Sequence, residues 1–126
     1  MIEALTSVTK EMAVLALDAR IMNHGLIANN IANHATEGYV ATRLNFDALM
    51  SDLGAALTSG ARADRLDAMV SDLRLDAWPV QSDTNPVQLD KEVEELTKNT
   101  LHYQAIITAL GNFGALNKIA IGSTQR

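Results

Sequence analysis

The chain has 126 residues, of which 48% are apolar, enough for one domain with a sizeable core. Its net charge is −5 with acidic and basic residues interspersed, so no basic surface is offered to a nucleic-acid backbone or an anionic membrane. Cysteine is absent, which excludes disulfides and thiolate metal sites. Two Phe, two Tyr and one Trp leave a core of Leu, Ile, Val, Met and Ala, a composition that suits packed helices better than a sheet sandwich.

The first element is a long helix. Leu5, Val8, Met12, Leu15, Ala19, Met22, Leu26, Asn29 and Asn33 recur in steps of three and four, a heptad seam about 45 Å long. A second apolar stripe, Val14, Leu17, Ile21, Ala28 and Ile31, lies behind it. A helix apolar on two faces is surrounded by protein or lipid, and Arg20, His24 and the asparagines disfavour lipid. Neighbouring subunits are the simpler expectation. Glu3, Lys10 and Glu11 interrupt the N-terminal turns, so no cleavable signal peptide is expected there.

The helix runs into Asn29-Asn30-Ile31-Ala32-Asn33-His34-Ala35-Thr36-Glu37-Gly38-Tyr39. Short amides compete with the backbone inside a helix, so their clustering asks for a reason. One reading is local: Asn33 or His34 closes the helix, Thr36 and Glu37 make the turn, and Gly38 supplies a positive φ. The other is that the amides contact other chains, since Asn29 and Asn33 continue the seam and polar seam residues select register and partner.

Phe46, Leu49, Met50, Leu53 and Leu57 predict a short amphipathic helix with Asn45 as N-cap and Gly60 as stop. Between Ala61 and Gln88 the period is lost. Leu66, Met69, Val70 and Leu73 fit helical turns, whereas Leu73, Leu75 and Ala77 alternate like a strand; Trp78 beside Pro79 anchors the segment against a helix. The heptad then resumes with Leu89, Val93, Leu96, Thr100, Tyr103, Ile107, Leu110, Gly114, Asn117 and Ile121, with Asp90 as N-cap and Glu92, Glu94 and Glu95 in the first turns. Ile106, Phe113 and Ala120 widen this seam, and Ala105, Ala109, Leu116 and Ile119 form a rear stripe. Asn99 to Asn117 carries no charged residue and is nearly long enough to span a bilayer, but seven Asn, Thr, His and Gln side chains within it argue against insertion.

The expected fold is therefore mainly α: two long terminal heptad helices packed as a coiled-coil-like hairpin, with a short helix and a middle that is either irregular or a small β element. Residues 1–40 form an N-terminal assembly helix and Asn-rich turn, 41–88 a variable middle and 89–126 a C-terminal assembly helix, all within one structural domain.

No chemistry stands out. His24, His34 and His102 lack a partner ligand at helical zinc spacing. The glycines form no phosphate-cradling repeat, no Ser or Thr sits in a nucleophile elbow, and the carboxylates are dispersed. Neither an enzyme nor a cofactor or metal site is expected.

Asn30-Ile31-Ala32-Asn33 followed by Thr36, Gly38 and Tyr39 resembles the Asn-x-Ala-Asn-x-x-Thr-Pro-Gly-Tyr signature of bacterial flagellar axial proteins, with Glu37 where proline is usual. Asn85-Pro86-Val87-Gln88-Leu89-Asp90-Lys91-Glu92-Val93, then Leu96, Asn99, Leu101, Tyr103 and Gln104-Ala105, is similar to the start of the C-terminal helix in the proximal members of the basal-body rod family. The resemblance covers residues 1–46 and 84–121. It implies a structural subunit of the periplasmic rod in the flagellar basal body. Such a subunit is passed through the flagellar type III export apparatus without a cleaved signal peptide. It stacks helically with itself and other rod proteins, between the export gate with its membrane-ring junction and the distal rod, and it transmits torque for motility. The assembly motif would be Asn29, Asn30, Asn33, Thr36, Gly38 and Tyr39. The assembly helices would present Val14, Leu17, Ile21, Tyr103, Ile107, Leu110, Phe113 and Leu116. No nucleic acid and no bilayer insertion are implied. Two rivals remain: a cytosolic helical adaptor or export chaperone that forms a closed coiled-coil dimer through the same seams, and an enzyme with an unrecognised pocket.

Overall fold

The computed structural model describes residues 2–58 and 78–124. The chain runs α1 (Ile2–Ala32), β1 (Val40–Leu44), α2 (Phe46–Thr58), β2 (Val80–Pro86) and α3 (Leu89–Thr124). At about 1.5 Å per residue, α1 and α3 are about 46 and 54 Å long. They pack on one another and run antiparallel, since Asn23 pairs with Asn99 and Asn30 with Glu92. Each step forward along α1 is matched by one step back along α3, so the same register sets Met12 across from Leu110. This is the expected hairpin of two long terminal helices with a small sheet in the middle. Gly60, Leu66, Met69, Val70, Leu73, Leu75 and Ala77 lie outside the described residues.

β1 and β2 form a two-stranded antiparallel sheet with Thr42 opposite Ser82, Arg43 opposite Gln81 and Leu44 opposite Val80; the register shifts between Val40 and Thr42, and Val40 pairs with Pro86. Asn45 N donates to Pro79 O, which closes the sheet where α2 begins. Asn45 is the N-cap, as its short amide before an apolar run predicts: its Oδ1 accepts from Ala48 N at 3.0 Å and its carbonyl from Leu49 N.

α2 buries Leu49 and Leu53, while Met50, on the same predicted stripe, is half exposed. The core lies where α2 and the sheet cross α1. Leu15 and Leu53 form one cluster with Met12 and Trp78; Ala19, Leu44 and Leu49 form a second with Met22, Leu26, Phe46 and Trp78. Trp78 bridges the two, the anchoring role expected of it. Arg20 stacks on Phe46 with its guanidinium carbon 3.9 Å from the ring centre, and the burial this requires lowers the guanidinium pKa.

The seams follow the apolar heptad count in part: Leu15 and Ala19 on α1 and Leu96, Tyr103, Leu110 and Asn117 on α3 face inward as expected, but the positions between them differ. On α1 the buried line is Leu15, Ala19, Asn23, Ile27 and Asn30, and Asn29 is exposed. On α3 the inward line passes through Glu92, Leu96, Asn99, Tyr103, Ile106, Leu110, Phe113 and Asn117, while Leu89, Val93 and Ile107 are 44–51% exposed and Gly114 and Ile121 lie outside. The reason is physical. The inner faces hold four polar residues, Asn23, Asn30, Glu92 and Asn99, which satisfy one another and the backbone; a trace through apolar residues alone steps around them and settles one position off. The start of α3 also shifts, because Gln88 O accepts from Glu92 N and takes the cap position assigned to Asp90. Asp90 stands in the first turn, where its carboxylate still faces the helix dipole.

Candidate functional site

The asparagine-rich exit of α1 is a built turn. Asn33 N and Nδ2 both donate to Asn29 O, His34 N and Nδ1 close on Ile31 O, and Thr36 N donates to Asn33 O at 2.9 Å. Thr36 Oγ1 adds a bond to Asn33 Oδ1 at 3.3 Å. Tyr39 N then donates to Thr36 O across Glu37 and Gly38, and Gly38 has φ 75°. A glycine at the third position of a turn with positive φ is what a type II geometry requires. The turn therefore forms with Glu37 in the place where the axial signature has proline. It aims Tyr39 back at α1, where its hydroxyl donates to Asn30 Oδ1 at 3.1 Å.

Asn30 is fully buried, so its amide is spent inside the chain and the reading that it contacts other chains does not hold for it. Its Oδ1 accepts from Thr42 N at 3.0 Å, and its Nδ2 donates to Thr42 O at 2.9 Å and to Glu92 Oε2 at 3.0 Å. Asn23, two turns earlier, repeats the arrangement: Oδ1 accepts from Leu44 N at 3.1 Å and Nδ2 donates to Asn99 Oδ1 at 3.2 Å. Each asparagine is thus a bracket that grips an outward N–H of β1 with its oxygen and a side chain of α3 with its nitrogen. The free edge of β1 is closed by α1 instead of by a third strand, which answers both the unpaired-edge problem and the accounting of buried N–H groups.

The brackets are backed by charge. Arg43 Nη2 donates to Glu92 Oε1, and its Nη1 lies 3.8 Å from Glu95 Oε2, buried and without a hydrogen bond of its own. Glu92 is 1% exposed and takes bonds from both Arg43 and Asn30, the condition under which a buried carboxylate is tolerated. Asn99 Nδ2 donates to Arg20 O at 2.8 Å. Sequence reasoning missed Asn23, Arg43, Glu92 and Asn99. A signal was present: Asn23 and Asn30 stand seven residues apart on α1, as Glu92 and Asn99 do on α3.

Outside this network the two helices are apolar and uncovered. On α1, Val14, Leu17 and Ile31 are half-buried and Ile21 is 56% exposed; on α3, Tyr103, Leu110 and Phe113 are half-buried, Ile107 is 45% exposed, and Leu116 and Ile119 are 65% and 69% exposed. Leu101 and Ile121 extend this surface. α3 is long and apolar enough, by length and composition, to cross a membrane. Its hydroxyls turn back on the helix, Thr100 to Leu96 O and Thr108 to Gln104 O. An open groove of about 240 Å³ lies between the helices, lined by Arg20, Ile21, His24, Asn99, Thr100 and Tyr103. It brings together no nucleophile, base and orienting partner.

No family model matches the chain. It is similar to the flagellar basal body rod protein FlgB of Bacillus subtilis (strain 168), with 32% identity over 114 residues that span 85% of this chain and 88% of that protein.

Proposed function

Since this chain belongs to the family of flagellar basal body rod proteins, we propose that it is a structural subunit of the proximal rod. It assembles helically with copies of itself and with other rod proteins, carries torque through interlocked helices and contributes to the wall of the export channel. It reaches the periplasmic rod through the flagellar type III apparatus. It sits beside the export gate and the junction with the membrane ring, and it is no enzyme. The observation that supports this reading is the pairing of an inner face whose polar groups are mutually satisfied with outer stripes that leave Leu101, Leu116, Ile119 and Ile121 each more than half exposed. Exposed apolar area of this kind marks an interaction surface. Each such side chain contributes about 1.5–3 kcal/mol when fully buried against a neighbour. In this reading protein, not lipid, covers α3.

The test compares Leu116→Glu with Leu110→Glu. Leu110 is half-buried on the inner line of α3 and Leu116 stands outside. Leu116→Glu is expected to leave thermal unfolding unchanged and to abolish incorporation into the rod in cells lacking the native protein, whereas Leu110→Glu lowers the stability of the hairpin itself. Normal incorporation of Leu116→Glu sinks the assembly role of the outer stripe, and a discrete soluble dimer abolished by the same substitution moves the reading to a closed adaptor.

A further inference from the structure

Two long apolar helices in one chain face a choice of partner. Leu, Ile, Ala and Met surfaces pack on like surfaces as readily as on unlike ones, so half-buried apolar residues such as Ile106, Leu110 and Phe113 do little to keep α1 on α3. Either helix could pair with its own kind from a second copy. Side-chain bonds between the helices are made by Asn23 with Asn99, by Asn30 with Glu92, and by Asn99 with the carbonyl of Arg20. We propose that these two brackets are partner-selecting residues, which confine α1 to α3 and exclude α1–α1 and α3–α3 pairing between copies.

The argument rests on how many segments each bracket needs at once. Asn23 Oδ1 is occupied by Leu44 N, so its nitrogen is the donor left over, and it faces the acceptor oxygen of Asn99. Asn99 presents its own nitrogen to Arg20 O on α1. Asn30 is oriented by Thr42 N and O in the same way, and its nitrogen meets a carboxylate that Arg43 of β1 neutralises. An α3–α3 pair would take Glu92 away from the Asn30 nitrogen that it accepts from, and would strand Asn99 without the carbonyl of Arg20. An α1–α1 pair would bury the Asn23 and Asn30 nitrogens without Asn99 or Glu92. Buried polar groups left unpaired penalise those alternatives, and an amide at one seam position is known to fix the partner of a helix at a cost in stability. The inference is independent of the rod reading, because it concerns the isolated chain.

The experiment uses the full chain carrying Leu116→Glu, which silences the outer stripe, and measures association by sedimentation equilibrium with helix content by circular dichroism. Asn99→Leu fills the inner line with an apolar residue that fits either partner. It is expected to keep its helix content and to associate into a discrete helical dimer at least tenfold more tightly than the parent. Asn99→Asp keeps an acceptor for the Asn23 nitrogen and places carboxylates opposite one another in any α3–α3 pair, so it is expected to remain as monomeric as the parent. The proposal is overturned if Asn99→Leu associates no more than the parent, if it loses its helix content, so that Asn99 is a stability element alone, or if Asn99→Asp dimerises as strongly as Asn99→Leu.

Discussion

Asn30→Ala removes four hydrogen bonds with one substitution and discriminates between an internal and an external role for the asparagine cluster. Three of those bonds are neutral, with Tyr39 Oη, Thr42 N and Thr42 O, and one is to the Glu92 carboxylate. Neutral bonds contribute about 0.5–1.5 kcal/mol net and bonds to charge about 1.5–3, which brackets the loss at about 3–7.5 kcal/mol. Water entering the space left by the amide recovers part of it, so a destabilisation of about 3–5 kcal/mol is expected. For a chain of this size that lowers the unfolding midpoint by about 10–20 °C, or by about 2 M in urea. The companion is Asn29→Ala, at an exposed neighbour, where a change within about 0.5 kcal/mol is expected. The assay is urea unfolding followed by circular dichroism and by Trp78 fluorescence. An Asn30→Ala cost below about 1 kcal/mol, or an Asn29→Ala cost as large, refutes the internal bracket.

Gly38→Val is expected to impair folding and motility more than Glu37→Ala, because position 38 holds φ 75° and a β-branched residue there is strained by about 1–3 kcal/mol; complementation that ranks them the other way refutes the turn. In a verified monomer, amides over residues 6–11 and 111–123 are expected to exchange much faster than those over 19–30 and 92–100, because the bonds that Asn23, Asn30 and Asn99 make between the helices fall in the second group; equal protection refutes it. At the start of α3 the Glu94 carboxyl is held below its ordinary value, first by the hydrogen bond from Lys98 at 2.7 Å and then by its charge, while Lys98 is raised by the same partner. The depressed carboxyl stabilises above its unfolded pKa and loses that effect as pH falls; the raised ammonium stabilises below its unfolded pKa and loses it as pH rises. The pair therefore supports the helix start across neutral pH. Its contribution is small and salt-screened, so adding salt at pH 7 or acidifying through the carboxyl range should increase exchange at 91–98, and a flat profile counts against it.

Legibility in the sequence followed how local each determinant is. The lengths of α1 and α3, the Asn45 cap, the positive φ of Gly38 and the anchoring of Trp78 depend on a few neighbouring residues and were readable. So were the outer stripes, since Leu116 and Ile119 repeat at helical spacing. The inner lines were readable at Leu15, Ala19, Leu96 and Leu110 but not at their polar members, because Asn23, Asn30, Glu92 and Asn99 are core residues only by virtue of partners distant in the sequence. Hydropathy gives such residues to the surface. Asn30 was singled out for the right reason, an amide costly in a helix, but its partners are Thr42, Tyr39 and Glu92 of its own chain. Arg43 carried no local signal: in a five-residue strand it reads as a solvated charge until Glu92 and Glu95 are brought beside it.

The bonds of Asn23, Asn30 and Asn99 between the helices lie towards one end of the pair, which also gives the hairpin a mechanical polarity. The start of α1 and the end of α3 lie together at the far end of the pair, so tension on either terminus opens the helices like a zipper, breaking a few apolar contacts at a time and meeting the bracketed region last. A sideways load on the paired helices is different, because it is shared along their whole length and acts against all contacts in parallel. The same hairpin is thus compliant when drawn out by its ends and stiff when sheared across its helices.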